Sequence, residues 1–316
     1  MGGGGYSSPV INRTVRRVAT GLAVGVLLSL VTACGQQVPL TDEWPVLPEP
    51  AVQVPVAGTC HLVEISVSAH TVAYPRLRQT PDCGTEHKAE TIHVGQFEGE
   101  DAARPTPPPP DGPAVRRAYQ RCAQVAQEFL GDDWHAARAW LAVFIPSGLA
   151  WQGGARWFRC DLFEVTDTFN SAEDRTGSMR DGLRGSRPLA IGCVNDGGSS
   201  PDFISSLYYV PCAEPHTAEF VGVYVPSQAD LAAGGEDAVE DRIFDGCWNL
   251  ADKYLGVRPG QVPEELSVLF WDFKEDRARG ERTVRCFLGV FDQRTQIAGG
   301  ATLKGLGPRP VPTTTR

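Results

Sequence analysis

The chain has 316 residues, 42% hydrophobic and 21% charged, with a formal net charge of −9, a balance suited to a globular protein of about two domains. Its first 33 residues hold Arg13, Arg16 and Arg17 and no acid, which leaves 26 basic against 38 acidic side chains in the rest, or −12. That surplus of acid argues against a nucleic-acid partner gripped by its phosphates, and against docking on anionic lipid through basic patches.

Arg16-Arg17 leads into an apolar run from Val18 to Ala33, followed by Cys34. A basic start, an apolar stretch and small residues before the cut have the layout of a secretory signal over residues 1–33. The end of the run, Val31-Thr32-Ala33-Cys34, resembles a bacterial lipobox. The resemblance implies that Cys34 becomes the lipidated first residue of the mature protein, with palmitate as the anchor. An uncleaved N-terminal membrane helix is the alternative, although the run is short for a span. Either way the body is expected on the extracytoplasmic face of the cell membrane. Residues 34–57 include Pro39, Pro45, Pro48, Pro50 and Pro55 and are expected to form an extended spacer.

Beyond Cys34 the cysteines fall into two sets of four: Cys60, Cys83, Cys122 and Cys160, then Cys193, Cys212, Cys247 and Cys286. Outside the cytosol such thiols pair. No C-x-x-C occurs, and consecutive cysteines within a set are 19 to 39 residues apart, whereas zinc sites usually contain a close pair. Four disulfides and no metal are therefore expected. Pairing within each set, with one pattern for both, leaves three connectivities. The expected one joins first to second and third to fourth; first to fourth with second to third is its rival.

The elements read alike in both halves. Cys83-Gly-Thr-Glu-His87-Lys-Ala-Glu90 and Cys212-Ala-Glu-Pro-His216-Thr-Ala-Glu219 share a C-x-x-x-H-x-A-E string. Each opens a strand, over 89–97 and 218–225. A Pro-rich loop, Pro105 to Pro113, follows in the first half and is expected to be exposed. Then Ala118, Tyr119, Cys122, Val125, Ala126 and Phe129 match Ile243, Phe244, Cys247, Leu250, Ala251 and Tyr254, at the spacing of an amphipathic helix. Gly131 and Gly256 stand where a helix would end in a left-handed residue. Strands are expected over 140–145 and 266–271, and again through the fourth cysteine of each set. The fold class is thus α+β, with two tandem homologous disulfide-bonded modules, each a small antiparallel sheet packed on one helix. Module 1 spans 58–166, a linker 167–188, module 2 189–292, and a flexible tail 293–316.

His87, Glu90, His216 and Glu219 are the repeated residues with chemical potential. As metal ligand or general base the imidazole would have to meet a second group, yet within a strand residues three apart point to opposite faces. The pair can converge only if the histidine lies in a turn before the strand. The expected role is structural, with the imidazole bonding backbone at that turn. His61, His70, His93 and His135 have no match and are expected on the surface. The chain holds no G-x-S-x-G, no H-E-x-x-H and no phosphate or dinucleotide glycine loop, so no catalytic residue and no cofactor is assigned.

Gly58-Thr-Cys60, the Cys83–Glu90 string, the Cys122 helix and the Gly154–Cys160 close, together with their counterparts at Gly192-Cys193, Val210–Phe220, Cys247 and Gly280–Cys286, resemble the actinobacterial septum formation domain family. The resemblance covers about residues 58 to 291 and implies an envelope protein associated with division septum formation. The resulting expectation is a non-enzymatic binding or assembly factor with a cell-envelope or septal protein partner. The alternative is an envelope hydrolase using His87 or His216 with a neighbouring carboxylate.

Overall fold

The computed structural model describes residues 52–62, 81–197, 204–232, 234–272, 279–292 and 294–316. Cys34, the signal segment, His70 and all of the spacer before residue 52 lie outside them. Among the described residues no helix is long and apolar enough to cross a membrane.

The first sheet is antiparallel and runs β1-β2-β4-β3, from β1 Cys60–His61, β2 Ala89–Gln96, β3 Ala139–Phe144 and β4 Trp157–Glu164. Single turns α1 Gly99–Ala102 and α3 Gly148–Gln152 flank the long helix α2 Pro113–Leu130. The second sheet runs β6-β5-β7-β9-β8, from β5 Cys193–Asp196, β6 Leu207–Val210, β7 Ala218–Tyr224, β8 Ser267–Asp272 and β9 Val284–Gly289. The turn α4 Gln228–Leu231 precedes its helix, α5 Glu236–Leu255. The strand–strand–helix–strand–strand order stands in both halves, as β1-β2-α2-β3-β4 and β5-β7-α5-β8-β9, and the second half also contains β6.

The helices form where the apolar stripe lies. Ala118, Tyr119, Cys122, Ala126 and Phe129 of α2, and Ile243, Cys247, Ala251 and Leu255 of α5, are buried against the inner faces of their sheets. Both helices stop at the glycines expected to stop them: Gly131 has φ +91° and Gly256 φ +76°, a conformation that costs other residues steric energy.

The disulfides follow the nearest-neighbour pattern. Cys60–Cys83 and Cys193–Cys212 tie β1 and β5 to the turns before β2 and β7. Cys122–Cys160 and Cys247–Cys286 pin each helix to the central strand beneath it, and all four of those residues are 0% exposed.

Two expectations are corrected. Residues 167–188 are not a free linker and 293–316 are not a frayed tail; each is an arm folded back on the module before it. In the first arm His87 and Arg175 exchange backbone hydrogen bonds, and Gly177 N–H donates to Cys83 O. In the second, His216 and Ile297 make the same exchange, and Gly300 N–H donates to Cys212 O. The arms then reach the helix ends. Asp181 and Leu183 N–H donate to the carbonyls of Phe129 and Leu130, and Gly305 and Gly307 N–H to those of Tyr254 and Leu255. A helix leaves its last carbonyls without internal partners, and each arm supplies two. Met179, Leu183, Ile297 and Leu303 are buried beneath them. The second arm closes with a small hairpin of β10 Thr295–Ile297 and β11 Thr313–Thr315. The Gly, Ser, Arg and Thr content of these arms serves tight turns and backbone capping.

Residues 52–316 form one compact unit, so the two modules are not independent beads.

Candidate functional site

Both histidines lie in the turn before their strand, and both are 0% exposed. Nδ1–H of His87 donates to Thr85 O at 2.8 Å, and Nδ1–H of His216 to Glu214 O at 2.9 Å. Each imidazole thus holds the chain reversal that follows the second cysteine, as the structural reading required.

The glutamates do different work from the histidines. Glu90, on the inner face of β2, accepts from Ser178 Oγ and from Met179 N–H, both at 2.8 Å. Glu219, in the matching place on β7, accepts from Thr302 Oγ1 at 2.9 Å, Leu303 N–H at 2.9 Å and Tyr254 O–H at 2.6 Å. Each carboxylate is therefore the latch for its arm. The sequence signal for this latch was a hydroxyl followed by an apolar and a basic residue, Ser178-Met179-Arg180 and Thr302-Leu303-Lys304, masked by low hydrophobicity around it.

His and Glu converge in one module only. Nε2 of His216 stands 3.5 Å from Glu219 Oε1, whereas Nε2 of His87 has no hydrogen-bond partner. Burial pulls the His216 pKa down, but the bonds to Glu219 and the Glu214 carbonyl outweigh it and the net shift is upward. Burial likewise pushes Glu219 up, and the bonds from His216, Tyr254, Leu303 and Thr302 bring it below its ordinary value. The pair favours imidazolium and carboxylate.

Three unmatched histidines are not surface residues. His61 is 3% exposed and donates through Nε2 to Thr91 Oγ1 at 2.8 Å; Thr91 donates in turn to Asp161 Oδ1 at 2.8 Å. Asp161 faces Arg159 at 2.6 Å. Burial lowers His61 to about 4, so it is neutral at pH 7. By strand register the second module carries Val194, Phe220 and Phe287 in place of His61, Thr91 and Asp161. His93 is half-buried. His135 sits at the junction of the modules, donating to Asp133 Oδ1 at 2.6 Å and to Glu281 Oε2 at 3.0 Å.

Arg285 completes that junction. It matches Arg159, but Phe287 stands where Arg159 finds Asp161. Lacking that acid, its guanidinium crosses to the first module and donates to the carbonyls of His135, Ala137 and Ala139 at 2.8, 3.0 and 3.2 Å. It is 1% exposed.

The junction carries a pH dependence. Burial lowers the His135 pKa, but its bonds to Asp133 and Glu281 and their charges outweigh this and raise it above 6.5. Burial pushes Glu281 up, and the bond and charge of His135 overcome that, holding it down to about 2. The histidine's contribution is full below its unfolded value and is lost as pH rises through the raised one. The glutamate's is present above its unfolded value and is lost as pH falls toward about 2. Urea unfolding of the wild type and His135→Gln is expected to show a stability gap that is widest below the ordinary histidine value of about 6.5 and narrows as pH rises above it. A gap that stays constant across that rise would remove His135 from the titration.

A doubled α+β body, its modules stapled by disulfides and latched by buried carboxylates, is the class that this fold and these residues define. A family model described as septum formation matches residues 57–286. The chain belongs to that family. No curated protein and no solved structure matches it.

Proposed function

We propose that this chain is an extracytoplasmic lipoprotein, anchored to the cell membrane through lipid on Cys34, and that it serves division septum formation as a non-enzymatic binding or assembly factor. Its partner is a protein or wall component of the cell envelope. The observation that carries the reading is the fate of the repeated groups. Both imidazoles are 0% exposed and spend Nδ1–H on a backbone carbonyl, and both glutamates spend their oxygens on the arms. A hydrolase needs a base and a carboxylate within reach of substrate; here the same side chains hold the frame together.

The contact surface favoured by the architecture is β8, which stands at the outer edge of the five-stranded sheet. An edge strand offers backbone donors and acceptors to an added strand. The loop from Pro105 to Pro113 is a second surface, mostly exposed except for Pro108 and Gly112.

Two measurements test the proposal. Cys34→Ser is expected to release the body from the membrane fraction or stop a cleavage that the wild type undergoes; membrane retention and chain length unchanged from the wild type would favour an uncleaved helix. A photo-crosslinking residue at Ser267 of β8 is expected to capture an envelope partner in dividing cells. Equal capture from a control position at Arg294, in the second arm, would remove β8 from the interface.

A further inference from the structure

The four disulfides differ in what surrounds them. Cys122–Cys160 and Cys247–Cys286 are wholly buried. Cys60 is buried and Cys83 half-exposed, and the Cys60–Cys83 sulfurs gather with Glu90 but with no imidazole. In the second module Cys212 is exposed while its partner Cys193 is 2% exposed. The Cys193 sulfur, a ring nitrogen of His216 and a carboxylate oxygen of Glu219 lie within 4.8 Å of one another. Among the described residues this is the one disulfide with an accessible residue on one side and an imidazole beside the inner sulfur.

We infer that Cys193–Cys212 is a thiol-exchange site, reduced by an external dithiol that attacks Cys212 and expels Cys193. In the first step a thiolate of the dithiol forms a bond to the Cys212 sulfur. The S–S bond breaks, and its electron pair leaves on Cys193 as a thiolate. In the second step the other thiolate of the reductant attacks the mixed disulfide and releases Cys212. The dithiol is oxidised by two electrons to its own disulfide, the cysteine pair gains them, and the two thiol protons of the reductant pass to the two cysteines. The rate of such exchange rises with the stability of the leaving thiolate. His216 supplies that stability: Nδ1–H is committed to the Glu214 carbonyl, and the adjoining Glu219 favours the imidazolium, which places positive charge beside the Cys193 sulfur. His87, with its Nε2 unpartnered and outside the cluster of Cys60, Cys83 and Glu90, gives Cys60 no such help.

The direction of attack is tested on the oxidised wild-type chain with a brief pulse of limiting 2-mercaptoethanol, a monothiol with no second thiol of its own to resolve the mixed disulfide, followed by alkylation and peptide mass mapping. The adduct is expected on Cys212 with Cys193 alkylated. An adduct on Cys193, or first reaction at Cys60–Cys83, would overturn the inference. With limiting dithiothreitol, Cys193–Cys212 is expected to open about ten-fold faster than Cys60–Cys83, and His216→Gln to remove about ten-fold of that rate. A variant that keeps the full rate would separate His216 from the chemistry. The monothiol result needs no variant, so it decides the site even if His216→Gln fails to fold.

Discussion

Arg285→Ala is expected to be the most damaging single change in the molecule. The guanidinium is 1% exposed and serves three carbonyls of the first module together with the Tyr209 hydroxyl. Truncation leaves those acceptors buried with no donor, at about 1–3 kcal/mol each where relaxation cannot reach them. Partial relaxation brings the expected loss to about 3–5 kcal/mol, the range for breaking a buried charged interaction. The change should also uncouple the modules, so that urea unfolding followed by tryptophan fluorescence no longer shows one transition. Arg285→Lys should recover only part of the loss, because an ammonium cannot span carbonyls arranged for a planar fork. A loss below about 1 kcal/mol with a single transition retained, the range of an ordinary surface change, would mean that the junction rests on apolar packing instead.

Glu219→Ala is the second. It removes the acceptor for Leu303 N–H, Thr302 Oγ1 and Tyr254 O–H at once, and strips His216 of its carboxylate. The expected cost is about 3–5 kcal/mol. The loss should fall on the second arm, seen as hydrogen exchange accelerating over residues 297–307. Glu90→Ala removes two acceptor contacts rather than four and should cost less, about 2–3 kcal/mol. The comparison bears on the proposed function. Were Glu219→Ala to leave stability intact and abolish septal function, the carboxylate would be acting on a substrate and the hydrolase reading would replace the assembly reading.

Much of the frame was legible in the residues. Cysteines at recurring positions, an apolar stripe at helical spacing and a glycine after each stripe are local signals, and each acts locally. The spacing that puts Cys122 and Cys247 on the buried faces of their helices also puts them within reach of the central strand. The role of His87 and His216 was legible for the same reason: the carbonyl each one bonds lies two residues earlier in the chain.

The arms were not legible, because capping and latching need few apolar residues. Ser178 and Thr302 look like solvated loop until Glu90 and Glu219, more than eighty residues earlier, are seen to accept from them. His61 and His135 were misread because Thr91, with Asp161 behind it, and Glu281 meet them only across strands or modules.

The amino-acid sequence by itself determined the doubled α+β plan, the four disulfides and the backbone role of the repeated histidines, since all follow from short-range spacing and redox chemistry. The tertiary structure alone decided how two modules of one plan become different. One substituted position on the central strand, Asp161 against Phe287, leaves Arg159 paired at home and sends Arg285 across the junction. A buried guanidinium must find acceptors somewhere, and where it finds them depends on what the other module places within its reach.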